Sequence, residues 1–556
     1  MIILSVRSYS LSIFPKGADI MKITFIGATH EVTGSCTMLE VNEKYYLVDC
    51  GMEQGRNVFE NISIPVSMDE IEGVFLTHAH IDHSGMLPKL YKDGYRGPIY
   101  ATGTTCDLCS IMLADSASIQ ETEAEWKSRK SARAGEETVE PLYTAADVEG
   151  TLSLFRRFSY GERKTVNDGV DVRFIDAGHL LGSASIELWL REGETERKIV
   201  FSGDIGNTGH PIIRDPTPVT EADYVVMEST YGDRLHDRST TAENTVTELA
   251  MIIQKTLDRG GTVVIPSFAV GRTQEILYAI REIKEKHWVH GHDGFKVFVD
   301  SPLATEATGI FLQCDREYFN DATRNILNRG INPIWFDGIQ LTVSLEDSKA
   351  INDNPEPKVI ISASGMCDAG RIRHHLKHHL WKAANTILFV GYQAEGTLGR
   401  TIQDGAKSVT LFNEKIVVNA EIATLHGTSG HADQEGLIKW IQAFSPKPEI
   451  VFINHGDDEV VLSFSGLLKK DYGYHIEAPF SGTQYDLADG HMTVYAEGKR
   501  IEKKSYGGDP RAVLAYNTLV AAAESLLALA KSCRGRANKD LAKFTSQIRN
   551  LTEKWK

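Results

Sequence analysis

The sequence predicts an α/β protein with more than one domain, and three observations support this fold class. Short β-rich runs separated by turns fill residues 22–210, as in KITFIGA, KYYLVDC, GVFLT, VDVRFIDA, SIELWL and KIVFSGD. From about residue 220, apolar strands alternate with amphipathic helices such as NTVTELAMIIQKTLDRGG, a pattern typical of βαβ units in a parallel sheet. After about residue 410, short strands return in VTLF, KIVVNAEIATL and EIVFINHG. We therefore expect the first domain to resume after an insertion.

The composition is that of a large protein with several buried cores. The chain has 556 residues, of which 42% are apolar and 24% are charged. A formal net charge of −16 argues against a surface that coats nucleic acid, although a local cationic cleft or bound metal ions would not appear in that number. Seven scattered cysteines indicate reduced thiols in a cytoplasmic protein. No stretch predicts a membrane span, and we expect residues 1–20 to be a disordered leader or an upstream start.

The string THAHIDHSG is the most informative segment of the chain. It brings His78, His80, Asp82 and His83 together at offsets 0, 2, 4 and 5, directly after the predicted strand EGVFLT. Alternate residues of an extended segment point to one side, so His78 and His80 can bind one ion. Asp82 and His83 begin a turn and can face a second ion of the zinc type. The alternatives are a solvated histidine-rich turn or one structural zinc, which the density of ligands disfavours.

Further candidate ligands follow other predicted strands, each next to a glycine. FIDAGHLLGSAS offers His179, IVFSGDIG offers Asp204 and VFINHGDDE offers His455. Each position alone is a weak signal, but with the first cluster they supply seven ligands. Seven ligands are enough for two ions that share a bridging carboxylate. Asp49, in YLVDCG, is a candidate for holding a ligand histidine in the required tautomer.

These motifs, in this order, resemble those of a known superfamily. The pattern HxHxDH, followed by AGHLLGSAS and SGDIG, resembles the metallo-β-lactamase superfamily, whose fold is an αββα sandwich. The segments VVMESTYGDR, PSFAVGRTQEIL, ISASGMCDAGRIRHHL, GYQAEGTLGR, GTSGHADQEGL and INHGDDE resemble its β-CASP branch, which inserts an α/β domain and acts on nucleic acids. The resemblance covers roughly residues 21–490. Within this branch, the chain is similar to bacterial and archaeal RNA nucleases that are related to the endonuclease subunit of the eukaryotic mRNA 3′-end cleavage machinery.

The resemblance implies a fold class and a domain order. The fold class is a metallo-β-lactamase αββα sandwich with an inserted parallel-sheet β-CASP domain and a C-terminal helical extension. The expected segments are a leader (1–20), the N-terminal portion of the metallo-β-lactamase domain (21–212), the β-CASP domain (213–407), the C-terminal portion of the metallo-β-lactamase domain (408–504) and a helical extension (505–556).

The resemblance also implies roles for individual residues. Two zinc ions are the implied cofactors, and Asp204 would bridge them. The ligands implied for one zinc are His78, His80 and His179, and those implied for the other are Asp82, His83 and His455. Glu228 matches the branch's first added acidic motif and His431 its added histidine motif. A histidine at position 455 fits RNA-acting members better than DNA-acting ones.

The implied function is a zinc-dependent ribonuclease that leaves a 5′-phosphate and a 3′-hydroxyl. The residues expected to take part in catalysis are His431, Glu228, Asp49 and Asp204, with His431 as general acid and Glu228 orienting it. An endonuclease is favoured over an exonuclease, and single-stranded RNA is the expected partner. The candidate phosphate contacts are Ser267, Arg272, Ser364, Gly365, Arg371 and Arg400. Each of these could equally be a turn residue or a surface arginine.

Three alternatives and one assembly remain open from the sequence. A hydrolase of a small thioester or lactam is the second enzyme class, and a DNA-acting nuclease of the same branch is the third interpretation. A non-catalytic RNA-binding scaffold is disfavoured, because all seven implied ligands are present. No membrane partner is expected. The helical extension is predicted to be a hairpin of two helices, PRAVLAYNTLVAAAESLLALAKS and KDLAKFTSQIRNLTEKW. This hairpin predicts docking to the body or to a second subunit, hence a homodimer, with an RNA-contacting tail as the alternative.

Overall fold

The structure is a computed structural model of the chain. It describes residues 21–55, 57–134, 137–236, 242–425, 429–501, 526, 530 and 538–554. The leader predicted over 1–20 lies outside the described residues, and so does most of the first helix predicted for the C-terminal extension. The chain divides into two compact units, Met1–Arg500 and Ile501–Lys556.

The strands of the larger unit are, in chain order, β1 (Lys22–Gly27), β2 (Cys36–Val41), β3 (Lys44–Val48), β4 (Ile71–Phe75), β5 (Ile99–Thr102), β6 (Phe155–Phe158), β7 (Lys164–Asn167), β8 (Val170–Asp176), β9 (Ala184–Glu192), β10 (Thr195–Phe201), β11 (Tyr224–Met227), β12 (Val263–Pro266), β13 (Lys296–Val299), β14 (Ile339–Leu341), β15 (Lys358–Ser362), β16 (Thr386–Phe389), β17 (Ser408–Leu411), β18 (Glu414–Val417), β19 (Glu421–Thr424), β20 (Ile450–Ile453), β21 (Ile476–Glu477), β22 (Gln484–Asp486) and β23 (Met492–Val494).

The helices are α1 (Ile81–Ser84), α2 (Leu87–Lys92), α3 (Gly103–Ala134), α4 (Ala145–Ser153), α5 (Ala242–Asp258), α6 (Arg272–Glu285), α7 (Pro302–Gln313), α8 (Asp321–Asn328), α9 (Leu345–Asp353), α10 (Ile372–His379), α11 (Leu398–Gln403), α12 (Gln434–Ile441), α13 (Asp458–Tyr472) and, in the smaller unit, α14 (Asn538–Lys554). Short 3₁₀ turns lie at Met68–Glu70 and Arg316–Tyr318.

Two sheets pack face to face and form a sandwich. The first has the order β23-β22-β1-β2-β3-β4-β5-β6, and the second has the order β21-β20-β11-β10-β9-β8-β7. Alternate residues point to opposite faces of each strand. In β3, Val48 therefore enters the core between the sheets, while Leu47 enters the core beneath α3. Helices α12 and α13 cover the outer face of the second sheet, where Val225 and Val451 are buried. The predicted αββα sandwich is confirmed.

A third sheet is inserted into this sandwich. Its order is β14-β13-β15-β12-β16-β19, and every neighbouring pair is parallel. The three central strands, β15, β12 and β16, are short apolar runs that are buried on both faces, as a sheet covered by helices requires. The predicted parallel sheet of the insertion is confirmed. We call it the inserted sheet.

Four strands join a different sheet from the one that the predicted segments give them. β17 and β18 follow residue 407, yet they pair with each other in a separate two-stranded sheet. β11 follows residue 213, yet it pairs with β10 and β20 in the second sheet. β19 follows residue 408, yet it pairs with β16 in the inserted sheet. Short apolar strands look alike in sequence whichever sheet contains them, so pairing was not readable from their composition.

Other local expectations are met. The thiols of Cys106 and Cys109 on α3 are buried and, with the other cysteines of the described residues, free, which agrees with the expected reduced thiols. In the smaller unit, α14 covers the segment predicted as the second helix of the C-terminal hairpin. Among the described helices, none has the length and apolar character that crossing a membrane requires.

A buried ionic network at Asp300, directly after β13, joins this strand of the inserted sheet to two neighbouring helices. The Asp300 carboxylate accepts hydrogen bonds from Arg371 Nη1 at 2.7 Å, His375 Nε2 at 2.7 Å and Ser348 Oγ at 2.5 Å. Burial raises the pKa of Asp300, but these hydrogen bonds outweigh it and leave the pKa below its usual value. The charge of Asp300 therefore joins β13 to α9 and α10.

We expect Asp300→Asn to lower stability by about 3–5 kcal/mol, because it leaves the Arg371 guanidinium without its buried counter-charge. The control is Asp404→Asn, which removes the exposed partner of Arg400 in the same region of the chain. Calorimetry should show a lower unfolding midpoint for the first variant and an unchanged midpoint for the second. Equal midpoints would contradict this role of Asp300.

Candidate metal centre

The predicted ligands converge at one edge of the sandwich. His78, His80, Asp82 and His83 follow β4, and the others follow β8, β10 and β20. All seven lie in two adjoining groups whose ligand atoms, within each group, are no more than 4.8 Å apart; the groups are His78 with His80, His179 and Asp204, and Asp82 with His83 and His455. The sequence separation of these residues reaches hundreds of positions, so the sheets themselves bring them together.

The first group surrounds one carboxylate oxygen of Asp204. His78 Nε2 and His179 Nε2 lie 3.4 and 3.5 Å from Asp204 Oδ2. His80 Nδ1 lies 3.0 Å from His78 Nε2 and 3.2 Å from His179 Nε2. Three ring nitrogens and one oxygen therefore face a common point, which is the donor set of a tetrahedral zinc site.

The second group surrounds the other oxygen of the same carboxylate. His83 Nε2 lies 3.3 Å from Asp204 Oδ1, and His455 Nε2 lies 3.7 Å from it. The two Nε2 atoms are 3.0 Å apart, and Asp82 Oδ2 lies 3.7 Å from His455 Nε2. Asp204 thus has one oxygen in each group, the arrangement that a bridging ligand needs.

The hydrogen bonds outside the cluster determine which ring nitrogens carry protons. A carboxylate and a carbonyl can only accept. His83 Nδ1 must therefore donate to Asp49 Oδ2 at 2.7 Å, and His179 Nδ1 must donate to the Gly430 carbonyl at 3.2 Å. In each neutral ring this leaves the Nε2 lone pair directed into the cluster.

The donor set fits a pair of divalent cations. Asp204 Oδ1 is buried and, among the described residues, has no hydrogen-bond partner. Burial raises the pKa of Asp204, but positive charge at His455 and His83 outweighs it and holds the pKa well below its usual range. The facing Nε2 atoms of His83 and His455 cannot both carry a proton at 3.0 Å. Cations satisfy the lone pairs and Asp204 at once, and zinc accepts this mixture of imidazole and carboxylate.

Strained backbone directs two of these side chains into the site. Asp49 follows β3 with φ of +60°, and His455 follows β20 with φ of +50°. Residues other than glycine rarely adopt this region, and such outliers concentrate at functional sites. Gly51 lies against the loop of Asp82: a Cβ at Gly51 would come 1.6 Å from the Asp82 carbonyl oxygen. No other residue fits at position 51 without moving that loop.

His431 and Glu228 form a pair beside the cluster. His431 Nδ1 lies 3.3 Å from the Glu228 carboxylate, and His431 Nε2 lies 4.0 Å from Asp204 Oδ2. Glu228 is buried and also accepts a hydrogen bond from the backbone N–H of Ile205. Burial lowers the pKa of His431, but the charges of Glu228 and Asp204 raise it to about 9. The pair therefore holds a protonated imidazole at the edge of the site.

The candidate phosphate contacts without charge have mixed positions. Ser267 is buried, and its hydroxyl donates to the Phe268 carbonyl at 3.2 Å. Ser364 is half-buried, and its hydroxyl donates to the Ala369 carbonyl at 3.3 Å. The Gly365 carbonyl accepts from Gln393 at 3.1 Å. Their contact with phosphate stays a prediction.

Each candidate arginine has an acidic partner. Arg371 is tied to Asp300 and to the carbonyl groups that follow β14. Arg272 pairs with Glu275 one helical turn away. Arg400 pairs with Asp404 at 2.8 Å on an exposed face. Arg371 therefore has a structural task, and phosphate contact by any of the three stays a prediction.

Thr77 was not among the predicted site residues, yet it links two of them. Its backbone N–H and hydroxyl both donate to Asp49, at 2.8 and 3.0 Å. The same hydroxyl lies 3.1 Å from His78 Nδ1 and can accept its proton. A threonine at the end of a strand is common, so nothing in the sequence distinguished it.

Tyr231 and a nearby cleft complete the surroundings. The Tyr231 ring lies 5.7 Å from the ring of His431. A cleft of about 1800 Å³ lies nearby, with Gly206 and Ala432 on one wall and Tyr278 of α6 on another. His431 and the seven candidate ligands are not among the residues that line it.

Successive segments of the chain match known protein families. Residues 31–106 match the metallo-beta-lactamase superfamily, and residues 273–402 match the Beta-Casp domain. Residues 415–479 match the Zn-dependent metallo-hydrolase RNA specificity domain.

Curated relatives match over most of their length. Ribonuclease TTHA0252 of Thermus thermophilus is 38% identical over 452 residues, covering 81% of this chain and 96% of that protein. Transcription termination factor FttA of Methanocaldococcus jannaschii is 30% identical over 476 residues, covering 84% of this chain and 71% of that protein. The FttA of Methanosarcina mazei is 31% identical over 461 residues, covering 81% and 69%. The chain therefore belongs to the metallo-β-lactamase superfamily and, within it, to the β-CASP branch of RNA nucleases.

Proposed function

We propose that this protein is a ribonuclease that uses two zinc ions to hydrolyse RNA phosphodiester bonds, leaving a 5′-phosphate and a 3′-hydroxyl. The observation that carries this proposal is the Asp204 carboxylate, which offers one buried oxygen to each of two groups of imidazoles. The match to an RNA specificity domain and the similarity to a ribonuclease support RNA as the substrate.

The chain's own residues prepare the site for this reaction. Asp49 and Thr77 fix the tautomers of His83 and His78, and the two sheets hold the ligands before substrate arrives. When bound, zinc supplies a water acidified toward a pKa of about 7 and positive charge beside the scissile phosphate. Burial of Asp204 keeps bulk water away and strengthens these electrostatic contacts.

The leaving oxygen needs a proton, and His431 is positioned to give it. His431 Nε2 points towards Asp204, at 4.0 Å, while Nδ1 faces Glu228. Glu228 therefore orients the ring and stabilises its charged form. The bond between phosphorus and the 3′ oxygen breaks, and this transfer lets the 3′ oxygen leave as a neutral hydroxyl. The phosphate remains on the 5′ oxygen of the downstream fragment.

The comparisons with known proteins favour a polymer over a small substrate. The match to an RNA specificity domain and the 38% identity to a ribonuclease support RNA and disfavour a thioester or lactam. Within this function we favour endonucleolytic cleavage of single-stranded RNA. The names of the relatives point to RNA processing, decay or transcription termination as the setting.

The proposal also covers two features of the setting. A cytoplasmic location is supported by the free cysteines of the described residues, which suit a reducing compartment. A homodimer is supported by the C-terminal extension alone, since α14 is an amphipathic helix with partly buried residues along one side.

Asp204→Asn should release bound zinc and lower RNA cleavage by more than about 100-fold, because an amide cannot bridge two cations as a carboxylate does. Elemental analysis and a single-stranded RNA assay measure the two effects, with Asp404→Asn as the surface control. Chelation should abolish cleavage and added zinc should restore it. Cleavage that survives both treatments would contradict the metal assignment, and zinc-dependent thioesterase activity without RNA cleavage would favour the alternative class.

His431→Ala should lower kcat on RNA by about 10²–10⁴-fold, because the leaving oxygen loses its proton donor. Zinc content should stay near the wild-type value. The loss should shrink on bis(p-nitrophenyl) phosphate, whose leaving group departs without a proton. The matched control is His378→Ala, an exposed histidine of α10. An equal loss on both substrates would remove His431 from the role of general acid.

A circular single-stranded RNA should be cut, and the fragments should carry 5′-phosphates that a ligase accepts directly. This result follows from attack on an internal bond with departure of the 3′ oxygen. A linear RNA of the same sequence provides the comparison. Resistance of the circle with degradation of the linear molecule would replace the endonuclease by an exonuclease.

A further inference from the structure

The carboxyl edge of the inserted sheet faces the metal centre. Strands β15, β12 and β16 are adjacent and parallel, so the loops that follow them leave the sheet at one edge. At the end of the neighbouring strand β19, Thr424 pairs with Phe389 of β16. Seven residues later in the sequence, His431 packs its ring 4.4 Å from that of His179. The loops of this edge therefore lie near the loops that carry the candidate ligands.

One of these loops touches the loop that carries a candidate ligand. The segment after β12 contains Phe268 and Gly271, and a Cβ at Gly271 would lie 3.2 Å from Leu180 Cδ1. Leu180 is the residue after His179. Phe268 is thus three residues from a direct contact with the metal-site loop.

Two aromatic side chains are left half-exposed on this edge. Phe268 is 48% exposed and Tyr392, which follows β16, is 55% exposed. Gly365 lies between their loops: a Cβ there would come 3.2 Å from Phe268 Cδ2. The Gly365 carbonyl accepts a hydrogen bond from Gln393, the neighbour of Tyr392 in the chain, at 3.1 Å. The three loops are therefore contiguous, and the glycine has no side chain that could cover the ring.

A third aromatic ring, that of Tyr231, lies beside the proposed general acid. Its centre is 5.7 Å from that of the His431 ring.

A single exposed aromatic ring is ordinary on a protein surface, but two of them near the metal-site loops suit a ligand that has flat aromatic bases. Unpaired nucleobases stack on aromatic faces whatever their sequence, whereas bases inside a duplex are already stacked and paired. We propose that Phe268 and Tyr392 stack on unpaired bases next to the scissile phosphate and so select single-stranded RNA. The proposal rests on the ribonuclease function given above and names its substrate class.

The test compares Phe268→Leu and Tyr392→Leu with Trp381→Leu. Trp381 is 52% exposed but follows α10, and its carbonyl accepts a hydrogen bond from Asn419, two residues before β19 begins at the opposite edge of the same sheet. Zinc-loaded full-length protein is given a single-stranded oligoribonucleotide, the same oligoribonucleotide with abasic positions around the cleavage site, and bis(p-nitrophenyl) phosphate. Phe268→Tyr and Tyr392→Phe retain the ring and serve as conservative variants.

We expect each leucine variant at the catalytic edge to raise KM for the oligoribonucleotide by about 5- to 150-fold with kcat nearly unchanged. The conservative variants and Trp381→Leu should keep the wild-type KM. On the abasic oligoribonucleotide the leucine variants should match the wild type, because there is no base to stack. Unchanged turnover of bis(p-nitrophenyl) phosphate, which needs no base contact at this edge, identifies an intact metal centre.

The proposal is overturned if the rise in KM equals that of Trp381→Leu, or if it is the same on the abasic substrate. If a leucine variant folds poorly, the wild type alone provides the test. A wild-type KM that is the same for the abasic and the intact oligoribonucleotide also overturns the proposal. If the wild type cuts no RNA at all, the ribonuclease function fails separately. Fluorescence anisotropy with the same oligonucleotides in a chelator then measures base-dependent binding, and its absence in the wild type overturns the stacking contacts.

Discussion

One buried carboxylate constrains this molecule more than any other group. Asp204 lies between two sets of imidazole nitrogens and has an oxygen that no hydrogen bond from the described residues satisfies. Removing such a charge from water is expensive unless opposite charge compensates it. The hydrogen bonds to Asp49 and Gly430 direct the Nε2 atoms of His83 and His179 towards this carboxylate. The donor set around Asp204 therefore fits divalent cations, and the loops that carry the candidate ligands are arranged around it.

Two of the three larger sheets carry the candidate ligands, and the third borders them. The sandwich supplies the candidate ligands from the ends of its strands, with left-handed backbone at Asp49 and His455 directing side chains inward. The inserted sheet borders the same site where Gly271, after β12, lies against Leu180. The chain that leaves this sheet at β19 continues towards His431. Its buried pair of Asp300 and Arg371 holds α10 against β13. Rigidity in that sheet is what would keep the second wall of the cleft in place.

The fold class and the superfamily were predictable from the sequence, because ligand motifs are local. THAHIDHSG contains four candidate ligands in six positions, and strand-ending histidines need only a glycine nearby to be noticed. Pairing is not local, so the sheet that contains β11 or β19 was not readable from either strand. The partner of a side chain is not local either: the sequence around Arg371 does not show that this residue bonds to Asp300, 71 residues earlier in the chain. Thr77 escaped notice for the same reason.

The most direct measurement is an anomalous X-ray difference map recorded on either side of the zinc absorption edge. Two peaks are expected, one within coordination distance of His78, His80 and His179 and one beside His83 and His455, with the Asp204 carboxylate between them. The expected metal–nitrogen distances are about 2.0–2.1 Å. A map with no peak next to Asp204, or with its zinc at the surface group of Asp486, Asp489 and His491, would contradict a dinuclear centre built on Asp204.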